Sequence, residues 1–331
     1  MPKTAVKKSH TLEQFCRALK TRRHFLLSCH VLPEGDAIGS LLAMDHLLRA
    51  LGKKTTIVCQ DAFPPRLSVL YNRRWQQLHE LRQAPYSFDA VVTTDCPALQ
   101  RIGDVQDLIL PDAAIFNIDH HISNDYFGTY NYVKPEAAAC GEVVFEIFKK
   151  MRVPITREVA KNLYVAIATD TGSFKYGNTT VQCHKITAEL IAIGIDPEKI
   201  NDALYSTYSL SKIQLYSRLL ARFKTAAKGQ IAWTEVRQSD LTHFGATDED
   251  LEGFIDFLKY LKEVKVCFFV METPDRETVR VSFRSKGRYD VNKLATYFHG
   301  GGHRKASGCQ IRGTVAQAEK MILRVLRREI V

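Results

Sequence analysis

Four stretches of this sequence close an apolar run with acids or imidazoles. The first is His30-Val31-Leu32-Pro33-Glu34-Gly35-Asp36, which follows His24-Phe25-Leu26-Leu27-Ser28-Cys29. The others are Thr93-Thr94-Asp95, Asp119-His120-His121 after Ala113-Ala114-Ile115-Phe116, and Asp170-Thr171-Gly172 after Ile167-Ala168. Carboxylates and imidazoles with no thiolate among them suit manganese or magnesium, with zinc or cobalt as substitutes. The set is large enough for two divalent ions bridged by one carboxylate, an arrangement that makes hydroxide at neutral pH and clamps the oxygens of a phosphoryl centre. The chemistry implied is phosphoester hydrolysis, and the chain spells neither a P-loop nor a serine elbow.

Each stretch also admits a structural role. Asp36 has the residue type and place of an N-cap for the helix that follows, and Asp95 could cap one too. Successive residues on a strand face opposite ways, so His120 and His121 could not share a site on a continuing strand. Asp170 at a helix carboxyl end opposes the helix dipole and calls for compensation. Repetition favours the chemical reading, because four separate elements end in this way.

Those elements must converge. Thr11-Leu12-Glu13-Gln14 has capping-box form and opens a helix to about Lys20, with Leu12, Phe15, Cys16 and Leu19 on one face. Strands are expected at 24–29, 55–59, 90–94 and 113–118. Helices are expected at 36–51, stopped by Gly52, and at 137–151, 158–168 and 181–193. Strands alternating with helices predict an α/β fold with a parallel sheet, whose carboxyl edge is where such folds place their sites. Residues 1–194 should form this catalytic domain and 195–224 a helical linker. Residues 225–331 should form a smaller α/β domain with a mixed sheet, built from strands at 231–236, 264–272 and 278–284, a helix at 291–298 and a last helix from Thr314.

In that second domain Arg280, Ser282 and Arg284 share one strand face, while Val279, Val281 and Phe283 share the other. The run Gly300-Gly301-Gly302-His303, followed by Ala306-Ser307-Gly308, would let backbone N–H groups approach a phosphate, with His303 as a further donor.

The net charge of +10 and pI near 9.1 favour acidic partners such as phosphates or nucleic acid. Part of that excess lies in Lys3, Lys7, Lys8, Lys20, Arg22 and Arg23 and in Arg324, Arg327 and Arg328, where solvated faces are the simpler reading. The eight cysteines are scattered without a C-x-x-C pair, which fits reduced core residues in the cytoplasm better than zinc or disulfides. Neither a signal-type apolar segment near the amino end nor an uninterrupted apolar stretch of about 18 residues is present, so no membrane partner is expected.

Taken in order, His30-x-x-Pro33-Glu34-x-Asp36-x-x-Gly39-Ser40, Thr94-Asp95, Asp119-His120-His121 with Asn124, and Asp170-Thr171-Gly172 resemble the motifs of the DHH phosphoesterase superfamily. Phe283-Arg284-Ser285 and Gly300-Gly301-Gly302-His303-x-x-Ala306-x-Gly308 are similar to its C-terminal domain. Compact length and the Gly35-Asp36-Ala37-Ile38-Gly39-Ser40 wording most resemble its oligoribonuclease and pAp-phosphatase branch, the nanoRNases.

That resemblance implies one ion on His30, Glu34 and Asp95 and another on Asp36, Asp95, His120 and Asp170, with manganese first and magnesium or cobalt as alternatives. It makes Asp119 a support, gives His121 the scissile phosphate, and gives Arg284, Ser285, Gly301, Gly302 and His303 the substrate. The activity implied is release of 5′-mononucleotides from short oligonucleotides, and dephosphorylation of 3′-phosphoadenosine 5′-phosphate. Alternatives are a linear or cyclic dinucleotide phosphodiesterase, a polyphosphatase, or a nucleotide-binding module whose first metal site is impaired by Glu34, where the family usually has Asp. His299 stands where the family often has a fourth glycine. Short oligonucleotides or nucleotide phosphates are the expected partners, and a homodimer is compatible with the sequence.

Overall fold

The computed structural model describes residues 9–70, 74–81, 87–206, 208–251 and 253–330. Lys3, Lys7 and Lys8 lie outside these residues. Contacts divide the chain into two compact units, Met1–Thr207 and Tyr208–Val331.

The first unit begins with α1 (Leu12–Thr21), closed by the expected capping box: Gln14 N–H donates to the Thr11 hydroxyl, and Thr11 N–H donates to the Gln14 side-chain oxygen. Then come β1 (His24–Cys29), α2 (Gly35–Ala50), β2 (Lys54–Cys59), β3 (Trp75–Gln77), α3 (Leu78–Leu81), β4 (Ala90–Thr94), β5 (Ala114–Asp119) and β6 (Tyr130–Val133). Helices α4 (Cys140–Met151), α5 (Arg157–Asp170), α6 (Val181–Ala192) and α7 (Pro197–Tyr205) complete it. The strands form one parallel sheet in the order β3-β2-β1-β4-β5-β6. The order reverses between β1 and β4, the place where open α/β sheets leave a crevice at their carboxyl edge.

Register makes that edge level. Cys29 pairs with Thr94, and Thr94 with Ile118, so His30, Asp95 and Asp119 stand one step further along three adjacent strands. The central strands are buried on both faces, under α1, α2, α4 and α5 on one side and the 3₁₀ segment Leu99–Leu108 on the other. Strands covered on both faces read as continuous apolar runs, which is why β1, β4 and β5 were visible in the sequence.

Three sequence expectations shift here. The strand expected at 113–118 runs to Asp119 and stops, so the alternation ends before the histidine pair. The helix expected from 137 starts at Cys140. The stretch expected to be helical from 197 is two helices, because Ser209 caps a new one by accepting from Lys212 N–H.

The second unit contains α8 (Leu210–Ala221), β7 (Lys224–Ala226), β8 (Ile231–Val236), α9 (Gln238–Phe244), α10 (Phe254–Tyr260), β9 (Val266–Glu272), β10 (Thr278–Ser285), α11 (Val291–Tyr297), β11 (Gly301–His303), β12 (Ala306–Arg312) and α12 (Val315–Ile330). Its sheet is mixed, ordered β11-β12-β10-β9-β8-β7, with only β8 and β9 parallel. One face packs on α11 and α12, the other on α8, α9 and α10. All eight cysteines are buried and free, and no described helix is long and apolar enough to cross a membrane.

Helices α2 and α5 pack closely because α2 offers glycine where α5 crosses. A Cβ on Gly39 would lie 2.3 Å from the Asn162 carbonyl oxygen, an atom of the α5 backbone that cannot swing aside. Gly39→Ala is therefore expected to destabilise the protein by about 3 kcal/mol, the upper end of overpacking costs. Denaturant unfolding measures this, and an unchanged midpoint would show that the two helices are not locked together.

Candidate metal centre

Asp95 is the hub. It follows β4 in a left-handed backbone conformation, φ 59°, unusual for a residue with a side chain. Its N–H donates to the Ile118 carbonyl and the preceding Thr94 hydroxyl donates to the Ala37 carbonyl, so neighbouring elements enforce the turn. The carboxylate is buried among three imidazoles. Asp95 Oδ2 lies 3.4 Å from His30 Nε2, while Oδ1 lies 3.5 Å from His120 Nε2 and 3.5 Å from His121 Nδ1. Oδ1 is buried and accepts no hydrogen bond. Such an orphaned oxygen is costly unless something else satisfies it.

Around it the ligand atoms fall into three groups, each within 4.8 Å: His30, Glu34 and Asp95; Asp36, His120 and Asp170; and Asp95, His120 and His121. Asp95 and His120 each belong to two groups, so the three form one centre. His120 Nε2 lies 3.7 Å from Asp36 Oδ2 and 3.6 Å from Asp170 Oδ2. Separations of 3.4 to 3.7 Å are long for hydrogen bonds. They are what two ligands around one ion show when each bond is about 2.1 Å.

The histidines are set up as ligands. His30 Nδ1–H donates to the Val31 carbonyl and His120 Nδ1–H to the Ala137 carbonyl, which fixes each ring and leaves Nε2 to face the carboxylates. His120 and His121 do share a site, against the alternation argument, because the strand has ended and both lie in the following loop.

Asp36 does not cap its own helix. Glu34 holds the N-cap position and makes no capping bond, while Asp36 sits inside α2 and accepts from the N–H groups of Cys140 (2.6 Å) and Gly141 (2.9 Å) at the start of α4, and from the Ser40 hydroxyl. It is the amino end of a different helix that holds this charge.

Asp119 stands behind the centre. Its Oδ1 accepts from His121 Nδ1–H at 2.7 Å, and its Oδ2 accepts from Asn124 Nδ2 at 2.5 Å. Asn124 in turn accepts from Asn117 and Tyr126 and donates to the Cys96 carbonyl. Asn178, not singled out in the sequence, ties the Asp170 end of α5 to the Ala138 carbonyl. No periodicity or motif marks it.

Protonation follows from this crowding. Burial would lower the His120 pKa, but the Asp95 contact and the charges of Asp36, Asp95 and Asp170 outweigh it and lift the ring to about 10. Burial raises Asp170 to about 6, against the pull of His120. Burial likewise raises Asp36, with Asp95 adding to the effect. Asp95 would rise on burial too, yet the imidazoles of His120 and His30 drive it well below the usual carboxylate range. His121 is raised chiefly by its bond to Asp119.

The residues expected to bind substrate belong to the second unit. Arg284 is half-buried on β10 and donates to the Phe283 carbonyl. Ser285 is buried, its hydroxyl donating to the Tyr289 and Arg304 carbonyls. Gly301 and Gly302 form an edge strand against β12 rather than an open loop. A Cβ on Gly302, at φ +140°, would meet Ser307 and the Ala306 carbonyl, whereas one on Gly301 meets nothing. The His303 side chain lies outside the described residues.

A parallel α/β unit with a cage of carboxylates and imidazoles at its switch point defines a class of metal-dependent hydrolase folds. Residues 24–167 match the DHH family, N-terminal domain, and residues 228–331 match the DHHA1 domain. The chain belongs to the DHH family. Its relatives include two proteins named bifunctional oligoribonuclease and PAP phosphatase NrnA. That of Thermus thermophilus is 28% identical over 92% of this chain and 89% of its own length. That of Bacillus subtilis is 28% identical over 90% and 92%. A crystal structure described as an exopolyphosphatase-related protein from Bacteroides fragilis superposes with a TM-score of 0.88, at 28% identity over 96% of each chain. The family is metal-dependent, and Asp95 Oδ1, orphaned between two imidazoles, is where this chain fits a cation.

Without metal, His120 must be protonated to offset the acids. Its folded pKa lies above the ordinary 6.5, so its contribution is complete below that value and fades as pH climbs towards about 10. The metal-free protein should therefore lose thermal stability over that window, while metal affinity rises because the ion displaces the proton. Manganese titrations by calorimetry in two buffers of different ionisation heat should show release of about one proton per centre. Identical heats in both buffers would contradict this protonation state.

Proposed function

We propose that this chain is a metal-dependent phosphodiesterase that releases 5′-mononucleotides from short oligonucleotides and also dephosphorylates 3′-phosphoadenosine 5′-phosphate. The single observation behind the hydrolytic reading is the buried Asp95 oxygen left without a hydrogen bond between His120 and His121. The substrate class draws on the named activities of the Thermus and Bacillus relatives.

His30, Glu34 and Asp95 would hold one divalent ion, and Asp36, Asp95, His120 and Asp170 the other; an oxygen-rich set with imidazole favours manganese. Bound there, the ions supply hydroxide at neutral pH and neutralise charge on the phosphoryl oxygens. His121 protonates the leaving oxygen. Asp119 fixes its ring through Nδ1 and raises its pKa, which favours a proton on Nε2 for transfer. Arg284, Gly301, Gly302 and His303 are assigned to the substrate's phosphate, and Ser285 to shaping the backbone around it. Eight buried free thiols favour the cytoplasm.

Asp119→Asn keeps every proposed ligand, so kcat should fall roughly 10- to 100-fold, as for other supports behind a metal site, with metal content unchanged. Full turnover would remove the Asp119–His121 pair from the reaction. If short oligonucleotides are the substrate, dinucleotides should be cut far faster than strands of about 20 nucleotides; equal rates would contradict the substrate assignment. A second reading, polyphosphate hydrolysis, draws on the description of the Bacteroides structure. Inorganic polyphosphate in the same assay separates the two.

A further inference from the structure

The charge of this protein is unevenly spread. Tyr208–Val331 holds 22 Lys and Arg against 14 Asp and Glu, which is +8 of the chain's +10. Most exposed cations of that unit with a nearby acid are paired: Arg237 with Glu235, Lys259 with Asp256, Arg280 with Asp248. Helix α12 is different. It buries Val315, Ala318, Ile322 and Leu326 against the sheet and turns Lys320, Arg324, Arg327 and Arg328 outward.

Their spacing of four, three and one keeps these side chains on one helix face. Arg312, at the end of β12, joins them. Lys320 and Arg324 line two adjoining shallow grooves, of about 480 Å³ and about 350 Å³; Arg327 lines the first and Arg312 the second. None of the five has an ion pair or side-chain hydrogen bond among the described residues. The one acid lining either groove, Glu319, is taken by Lys224 at 3.1 Å. Five clustered, unpaired cations repel one another, and a solvated face gains nothing from gathering them. They gain from a polyanion whose charges repeat at similar intervals.

We infer that the outer face of α12 binds the sugar-phosphate backbone of single-stranded nucleic acid, without reading its sequence. The groups are arginines and a lysine with no aromatic ring lining the grooves beside them, so they contact phosphates rather than bases. An anionic membrane is the poorer match. Among the described residues Met321 is the one large apolar side chain exposed on this helix, too little to enter a lipid interface. This surface would hold the enzyme on longer RNA, where short fragments arise, while hydrolysis proceeds elsewhere on the chain. The inference rests on the oligonucleotide reading for its purpose but not for its test.

The test uses the manganese-loaded full chain and a labelled phosphorothioate RNA of about 20 nucleotides, followed by fluorescence anisotropy across a salt series. K320E/R324E/R327E should weaken binding at least tenfold near 0.1 M salt and flatten the slope of log affinity against log salt by about 2, at about 0.7 per lost phosphate contact. Its turnover of a dinucleotide should stay unchanged, and excess dinucleotide should not displace the long RNA from the wild type. R157E/K161E/K185E, an equal charge change in the first unit, should leave binding intact. If the reversal variant fails to fold, K320Q/R324Q/R327Q replaces it with the same expectation at smaller size. Equal loss in the first-unit control, no loss in the α12 variant, or binding to phosphatidylserine vesicles but not to RNA would overturn the assignment. Absent dinucleotide hydrolysis in the wild type would instead strike the proposed function, leaving the binding result to stand alone.

Discussion

The structure depends on a carboxylate that its own protein does not satisfy. Asp95 is buried in a left-handed turn, ringed by His30, His120 and His121, and one of its oxygens accepts no hydrogen bond. Left so, it costs free energy twice, through backbone strain and through desolvation. A protein keeps such a residue where something outside the chain completes it. The surrounding groups agree, since His30 and His120 are each anchored through Nδ1 and offer Nε2.

The fold makes this arrangement repeatable. Parallel register brings His30 and Asp95, each one step past the end of its strand, level with Asp119, the last residue of the next strand. Close packing of α2 on α5 then fixes the other half. Gly35 and Gly39 admit the α5 surface, so Asp36 near the start of one helix and Asp170 at the end of the other both reach His120. The amino end of α4 holds Asp36 through two N–H groups, which stiffens a carboxylate whose charge the interior would otherwise suppress.

Much of this was legible in the sequence, for a physical reason. The central strands are covered on both faces and so appear as apolar runs, and their polar successors can only be at the sheet edge. All six expected ligands, His30, Glu34, Asp36, Asp95, His120 and Asp170, lie in the three groups of ligand atoms. What the sequence hid was orientation. Asp36 looked like the cap of its own helix, yet its partners come from Cys140 and Gly141, about a hundred residues on. The His120–His121 pair looked unusable because nothing local shows that the strand stops at Asp119. Short edge strands such as Trp75–Gln77 and Tyr130–Val133 went unseen, since pairing on one side only demands no apolar run. The Gly300–His303 run looked like an open cradle, yet Gly301–His303 is an edge strand, because glycine sequence alone does not reveal a pairing partner.

The central claim is that Asp95 joins two cation sites into one centre. Electron paramagnetic resonance of the manganese-loaded protein tests it most directly, because two ions sharing a carboxylate at about 3.5 to 4 Å are magnetically coupled. The account expects two manganese ions per chain with a coupled spectrum that collapses to isolated-ion signals in Asp95→Ala. Two uncoupled ions, or a single ion per chain at saturation, would contradict it.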